Sequence, residues 1–207
     1  MSANRLAAVV VSMVVLVAGA FAQVNELSAT VGRTFVSSQT IQDAAFFNHD
    51  VHFGDSISIG LNYSRLLVTR SIFGLSAELP FAFDIKSNLN TGANLIPSSY
   101  RAFYIAPSAR VNIFNGEGVS PWVSFGGGYA HYKMAGTLVF GGPNPGPSST
   151  NTGVLQAGAG VDVFPWRSWG VRLEARDYWS GHPDLNVDTG RTRQHNYYVG
   201  GGVIYRF

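Results

Sequence analysis

The sequence predicts an all-β fold, an antiparallel up-and-down transmembrane β-barrel of about eight strands. Three observations predict it. Apolar residues alternate with small or polar ones along most of the chain, which is the period of a strand. Charged residues make up 13 % of the 207, against roughly a quarter in soluble domains. Short connections alternate with long ones, as they do in barrels that cross a membrane.

The N-terminus carries a targeting segment. Arg5 is the only charge before Gln23, Leu6 to Val17 is apolar, and Ala20-Phe21-Ala22 is a small-x-small cleavage site ahead of Gln23. That order is a secretory signal peptide, and the apolar run is shorter than the ~20 residues of a spanning helix. The expected organisation is therefore a signal peptide over 1–22 and a barrel over 23–207. The absence of cysteine excludes a disulfide framework, a thiolate metal site and a lipid-anchored cysteine. The net charge of +2, with no Lys/Arg run, argues against nucleic acid as a partner.

The strands follow in order. Around Glu26 to Val36, Leu27, Ala29, Val31 and Phe35 share a face that Arg33 interrupts. From Ser56 to Ser64, Ile57, Ile59, Leu61 and Tyr63 oppose serine, glycine and asparagine. Phe73, Leu75, Ala77, Leu79, Phe81 and Phe83 oppose Gly74, Ser76, Glu78, Pro80 and Ala82. Phe103, Ile105, Ala109, Val111 and Ile113 oppose Ala102, Tyr104, Ser108, Arg110 and Asn112. Val123, Phe125 and Tyr129 oppose Ser124, Gly126 and Gly128. Leu155 to Val163 and Val171 to Ala175 place Gln156, Asp162, Arg172, Glu174 and Arg176 on the polar side. Tyr197, Val199, Val203, Tyr205 and Phe207 end the chain opposite Tyr198, Gly200, Gly202 and Arg206. Each run is near the ~10 residues of a tilted membrane strand.

The polar face is mostly Gly, Ser, Ala and Asn, which suits the crowded inside of a narrow barrel. The apolar face then meets lipid, and closure satisfies the backbone groups that lipid cannot. Glu78, Arg110, Asp162, Arg172, Glu174 and Arg176 are expected to pair as an interior charge network, because an isolated charge there is costly. Segments 64–71, 115–120 and 165–168 read as short periplasmic turns; 37–55, 84–99, 135–151 and 180–195 read as long outer loops. Phe114, Trp122, Phe164, Trp169 and Phe207 are expected at the periplasmic rim, and Phe35, Phe83, Phe103, Tyr129 and Tyr197 at the outer rim.

Gly200 to Phe207, with Gly202, Tyr205 and the final Phe207, resembles the terminal assembly signal of bacterial outer-membrane barrels. Val123 to Ala130 and Arg172 to Tyr178 are similar to strands of those proteins. The chain from 23 onward resembles the OmpA-like small barrel family. The resemblance implies insertion by the barrel-assembly machinery, with Tyr205 and Phe207 as its key residues. It also implies outer-membrane lipid and lipopolysaccharide as surroundings, and a monomer. The expectation is a barrel without a following peptidoglycan-binding domain, so periplasmic anchoring is not implied.

Three constellations bear on chemistry. Some barrels resembling this one deacylate lipid A through a His-x-Ser pair, since a serine needs a neighbouring base. Here the region reads Asp177-Tyr178-Trp179-Ser180-Gly181-His182, in the wrong order, and His131 lacks a serine. His49, Asp50, His52 and Asp55 hold metal-ligand types in an unfamiliar spacing. A lumen of about eight strands is filled by side chains, which disfavours a solute pore. The expectation is a non-enzymatic barrel without cofactor or metal, with a structural envelope role and surface contact through the long loops. Ala44-Ala45-Phe46-Phe47 is an unusually apolar part of one loop. The alternatives are a lipid A hydrolase, a small-solute pore and a soluble lipocalin-like carrier.

Overall fold

The computed structural model describes residues 25–41, 50–92, 94–114 and 118–207. The signal segment, its cleavage residues Ala20, Ala22 and Gln23, the Ala44 to Phe47 run and His49 lie outside the described residues.

The described residues form eleven strands: β1 (Asn25–Val36), β2 (Gln39–Thr40), β3 (Asp50–Phe53), β4 (Ser56–Arg70), β5 (Phe73–Asn90), β6 (Ser99–Ile105), β7 (Ser108–Ile113), β8 (Val119–Met134), β9 (Ser149–Val163), β10 (Trp169–Gly181) and β11 (Arg193–Arg206). Every pairing is antiparallel. The ring runs β1, β4, β5, β6 with β7, β8, β9, β10, β11 and back to β1, giving eight walls. The seam between β1 and β11 runs from Glu26↔Arg206 to Val36↔Asn196. Asn25 and Phe207 extend it by exchanging backbone hydrogen bonds of 2.9 Å in both directions. No ring strand is left with an unpaired edge, which is the condition for crossing lipid.

The alternation read from the sequence sets inside from outside. Phe125 is 64 % exposed on the outward face, whereas Asp162 is fully buried on the inward one. Leu27 and Val31 of β1, Ile57 and Leu61 of β4, Leu173 of β10 and Val203 of β11 likewise point outward, while Ile204 of β11 is buried inside. A soluble barrel would have the opposite arrangement.

Several expectations are corrected. Trp122 does not belong to the rim: it is 1 % exposed, inside the barrel, because it shares the inward parity of Ser120 and Ser124. The turn expected over 64–71 shrinks to Ser71 and Ile72, since Leu66 to Arg70 continue pairing with β5 across a bulge. β5 runs on to Asn90, shortening the loop expected from residue 84. The wall from Ser99 to Ile113 is broken between β6 and β7 at Ala106-Pro107, where proline offers no N–H to a neighbour. The first long loop contains β2 and β3, and β3 pairs with the end of β5. Arg33, which breaks the apolar face of β1, is exposed and paired with Asp55 at 3.1 Å.

Candidate functional site

The interior is built in three levels. Nearest the end that carries the short turns lies a network of four carboxylates and four guanidiniums. Arg110 reaches Glu26 at 2.6 Å and Asp162 at 3.3 Å. Arg172 grips both oxygens of Asp162 at 2.7 Å. Arg176 meets Glu78 and Glu174, each at 2.9 Å, and Arg206 meets Glu26 at 2.7 Å. Trp122 stands among them, with the guanidinium carbons of Arg110, Arg172 and Arg176 at 5.4, 5.2 and 4.9 Å from its ring centre. An electron-rich ring face attracts cations, so one side chain separates three like charges and partly neutralises each. Gly160, directly across from Trp122, makes room: a Cβ there would run into the indole ring.

The structure thus brings all six sequence-predicted interior charges together. The sequence reading missed Glu26, Arg206 and Trp122. The signal was available for each, because Glu26 shares parity with Ser28 and Thr30, and Arg206 with Gly202.

Above the charges lies a level of tyrosines. Tyr104 stacks on Tyr178 at 4.8 Å and meets Tyr132 edge-on at 6.0 Å. Tyr100 meets Tyr132 edge-on at 5.8 Å. Tyr198 shares a 2.7 Å hydrogen bond with Thr30, whose hydroxyl also contacts Glu174 at 2.8 Å, so the two levels are linked. Asp84 is buried here, and among the described residues no cation pairs with it. Its Oδ1 accepts from Ser58 at 2.5 Å and Thr34 at 2.7 Å, while Oδ2 makes no hydrogen bond.

The third level is an apolar plug. Ile41, Val51, Leu89, Ile96 and Leu185 are buried against the tyrosines. Two long loops are stitched together over the mouth: Val139 donates to the Ile96 carbonyl at 3.1 Å and Ser98 to that of Thr137 at 2.9 Å. Asn186 ties a third loop to them, donating to Asn144 Oδ1 at 2.7 Å and to the Leu95 carbonyl at 3.2 Å.

The chemical constellations separate. Ser180 is buried in the tyrosine level, with its hydroxyl 2.5 Å from Tyr132 and accepting from Asn196 at 3.1 Å. His182 instead contacts the Pro183 carbonyl, and among the described residues no histidine is hydrogen-bonded to Ser180. His52 contacts Ser38 and Asp55 pairs with Arg33; among the described residues no three potential ligands gather around one point. An imidazole–carboxylate pair faces outward, His195 with Asp177 at 2.6 Å. Among the described residues no serine or threonine hydroxyl is hydrogen-bonded to it. Of the C-terminal residues, Gly202 faces Thr30 and Arg172 across its two seams. Tyr205 points outward between Trp169 at 4.7 Å and Phe207 at 5.6 Å.

Comparison with known proteins agrees with this architecture. The family model for the outer membrane protein beta-barrel domain matches residues 7–207. No curated protein matches the sequence. Among solved structures, Neisserial surface protein A is similar at 13 % identity and a TM-score of 0.53, covering 91 % of this chain and 99 % of that one. The outer membrane protein OprG from Pseudomonas aeruginosa is similar at 11 % identity and a TM-score of 0.50, covering 89 % and 95 %. The attachment invasion locus protein Ail of Yersinia pestis, solved with a heparin analogue, matches at 18 % identity and a TM-score of 0.45, covering 88 % and 99 %.

Proposed function

This chain belongs to the outer membrane protein β-barrel family, and from that premise we propose that it is a non-enzymatic, non-conducting barrel of the bacterial outer membrane. Its role is structural, with surface contact made by the long loops. The observation that carries this reading is the filled interior: charges, tyrosines and loop side chains occupy it from one end to the other. A narrow barrel whose inside is packed is a scaffold for its loops. The hydrolase reading lacks support at Ser180, which is buried inside the barrel and, among the described residues, has no histidine hydrogen-bonded to it.

Planar-bilayer recording of the refolded protein tests the reading. No conductance steps above the lipid background are expected, and lipid A from cells expressing the protein should keep all its acyl chains by mass spectrometry. A stable ohmic channel would overturn the closed lumen. Loss of an acyl chain would overturn the non-enzymatic role. Cells without the protein should become more sensitive to SDS, and unchanged sensitivity would count against the structural role.

A further inference from the structure

The outward face of the barrel carries a row of cations that the fold does not neutralise. Arg101 on β6 lies directly opposite Lys133 on β8. On its other side Arg101 meets β5 where the register shifts between Asp84 and Ser87. That bulge leaves both Ile85 and Lys86 exposed between two buried neighbours, so Lys86 is turned outward beside Arg101. Re-aiming a side chain is what a bulge does. The three cations therefore form one cross-strand row, Lys86, Arg101, Lys133, around a surface groove of about 340 Å³.

Like charges directly opposite one another destabilise a sheet, and among the described residues no acid pairs with them. The acids of β5, Glu78 and Asp84, are buried inside, and β6 and β8 contain none. Among the described residues none of the three cations makes an ion pair. Arg101 lies two residues above Phe103, and Lys86, past the bulge, three above Phe83, roughly 7 Å toward the long loops. That is just beyond the aromatic girdle, at headgroup depth.

We infer that Lys86, Arg101 and Lys133 form a phosphate-binding site for the phosphorylated glycolipid of the outer leaflet, with the lipid A phosphates in the groove and the acyl chains on the apolar wall below. This rests on the outer-membrane placement of the chain, not on its lumen being closed. A planar guanidinium flanked by two ammonium groups suits a phosphate. The row places all three at the depth where lipid A carries its phosphates, which favours lipid A over a free anion.

The test is native mass spectrometry of the refolded protein in detergent, titrated with bis-phosphorylated lipid A. Each basic residue near an anionic lipid surface contributes about 1 kcal/mol, which is about fivefold in affinity. Lys133→Gln alone should weaken binding about fivefold. The triple variant Lys86→Gln, Arg101→Gln, Lys133→Gln should weaken it on the order of 100-fold. Dephosphorylated lipid A should bind the unaltered protein as weakly as lipid A binds the triple variant. Arg33→Gln, at a rim cation already paired with Asp55, should change nothing. Retention of a mobility difference between boiled and unboiled samples shows that each variant is folded, and the single variant serves should the triple one fail this control. Equal binding by Lys133→Gln and the unaltered protein, or equal binding of dephosphorylated lipid A, would overturn the site. Displacement by equimolar phosphatidylglycerol would overturn lipid A as its occupant.

Discussion

Replacing Arg172 with leucine isolates one half of the interior network. Arg172 is buried, donates to both oxygens of Asp162 at 2.7 Å, and donates to Ser28 at 2.9 Å. Without it Asp162 keeps only Arg110 and the Trp122 indole N–H, both at 3.3 Å. Breaking a buried pair from one side costs about 3–5 kcal/mol, because the remaining charge loses its compensation. At about 2 kcal/mol per molar urea, the unfolding midpoint should fall by roughly 1.5–2.5 M. Arg172→Leu with Asp162→Leu removes the pair and leaves three carboxylates facing three guanidiniums. Arg110 retains Glu26 at 2.6 Å. Replacing a buried ion pair by apolar groups is often near neutral, so the double variant should recover most of the loss. The assay is urea titration in lipid vesicles, read by the fraction of unboiled, fast-migrating protein and by tryptophan emission. A single-variant shift below about 0.5 M would show that the pair contributes little. A double variant as unstable as the single one would show that the guanidinium acts by filling space, and the electrostatic account would be wrong.

Other consequences are more quickly stated. Gly160→Leu drives a side chain into the Trp122 ring and the Leu173 carbonyl; overpacking of this kind costs about 1–3 kcal/mol and should shift tryptophan emission, so an unchanged midpoint would refute the fit. Asp84→Asn should stay within about 1 kcal/mol of the unaltered protein, because Asp84 has hydroxyl partners but no cation to abandon; Asp162→Asn should cost about 3 kcal/mol, since it leaves Arg172 without its carboxylate. Equal midpoints for these two variants would contradict the distinction. Phe207→Ala should reduce the amount inserted in cells while leaving refolding in detergent intact; a matching defect in both would assign Phe207 a packing role instead of a recognition role.

The walls were legible because a strand facing lipid outside and a narrow lumen inside has opposite demands on successive residues. That parity places Arg110, Asp162, Arg172 and Arg176 inward without reference to any partner. It also places Trp122 inward, and the expectation of a rim position failed by weighing nearness to a strand end over parity. Which charges meet was not legible. Arg110 reaches Glu26 across the lumen, and Arg206 reaches it across the closing seam, so both contacts depend on ring closure and register. The plug was hidden for a different reason. Val51, Ile96 and Leu185 lie in the connecting segments, outside any extended alternating run, and their burial is decided by tyrosines contributed from distant strands.

The inner and outer charges follow from one constraint applied in two solvents. Inside, a charge is cut off from water and the protein must supply its counter-charge, so every guanidinium of the lower network has a carboxylate within 3.3 Å. At the rim a charge can be left for something else to neutralise. Arg33 is closed off by Asp55, whereas Lys86, Arg101 and Lys133 are set side by side with no acid on the outward face of their strands. A bulge that turned Lys86 toward Arg101 without an anion to receive both would add repulsion to a sheet whose four interior guanidiniums are each matched by a carboxylate. The matched interior therefore belongs to the stability of the barrel, and the unmatched row belongs to what the barrel meets in its membrane.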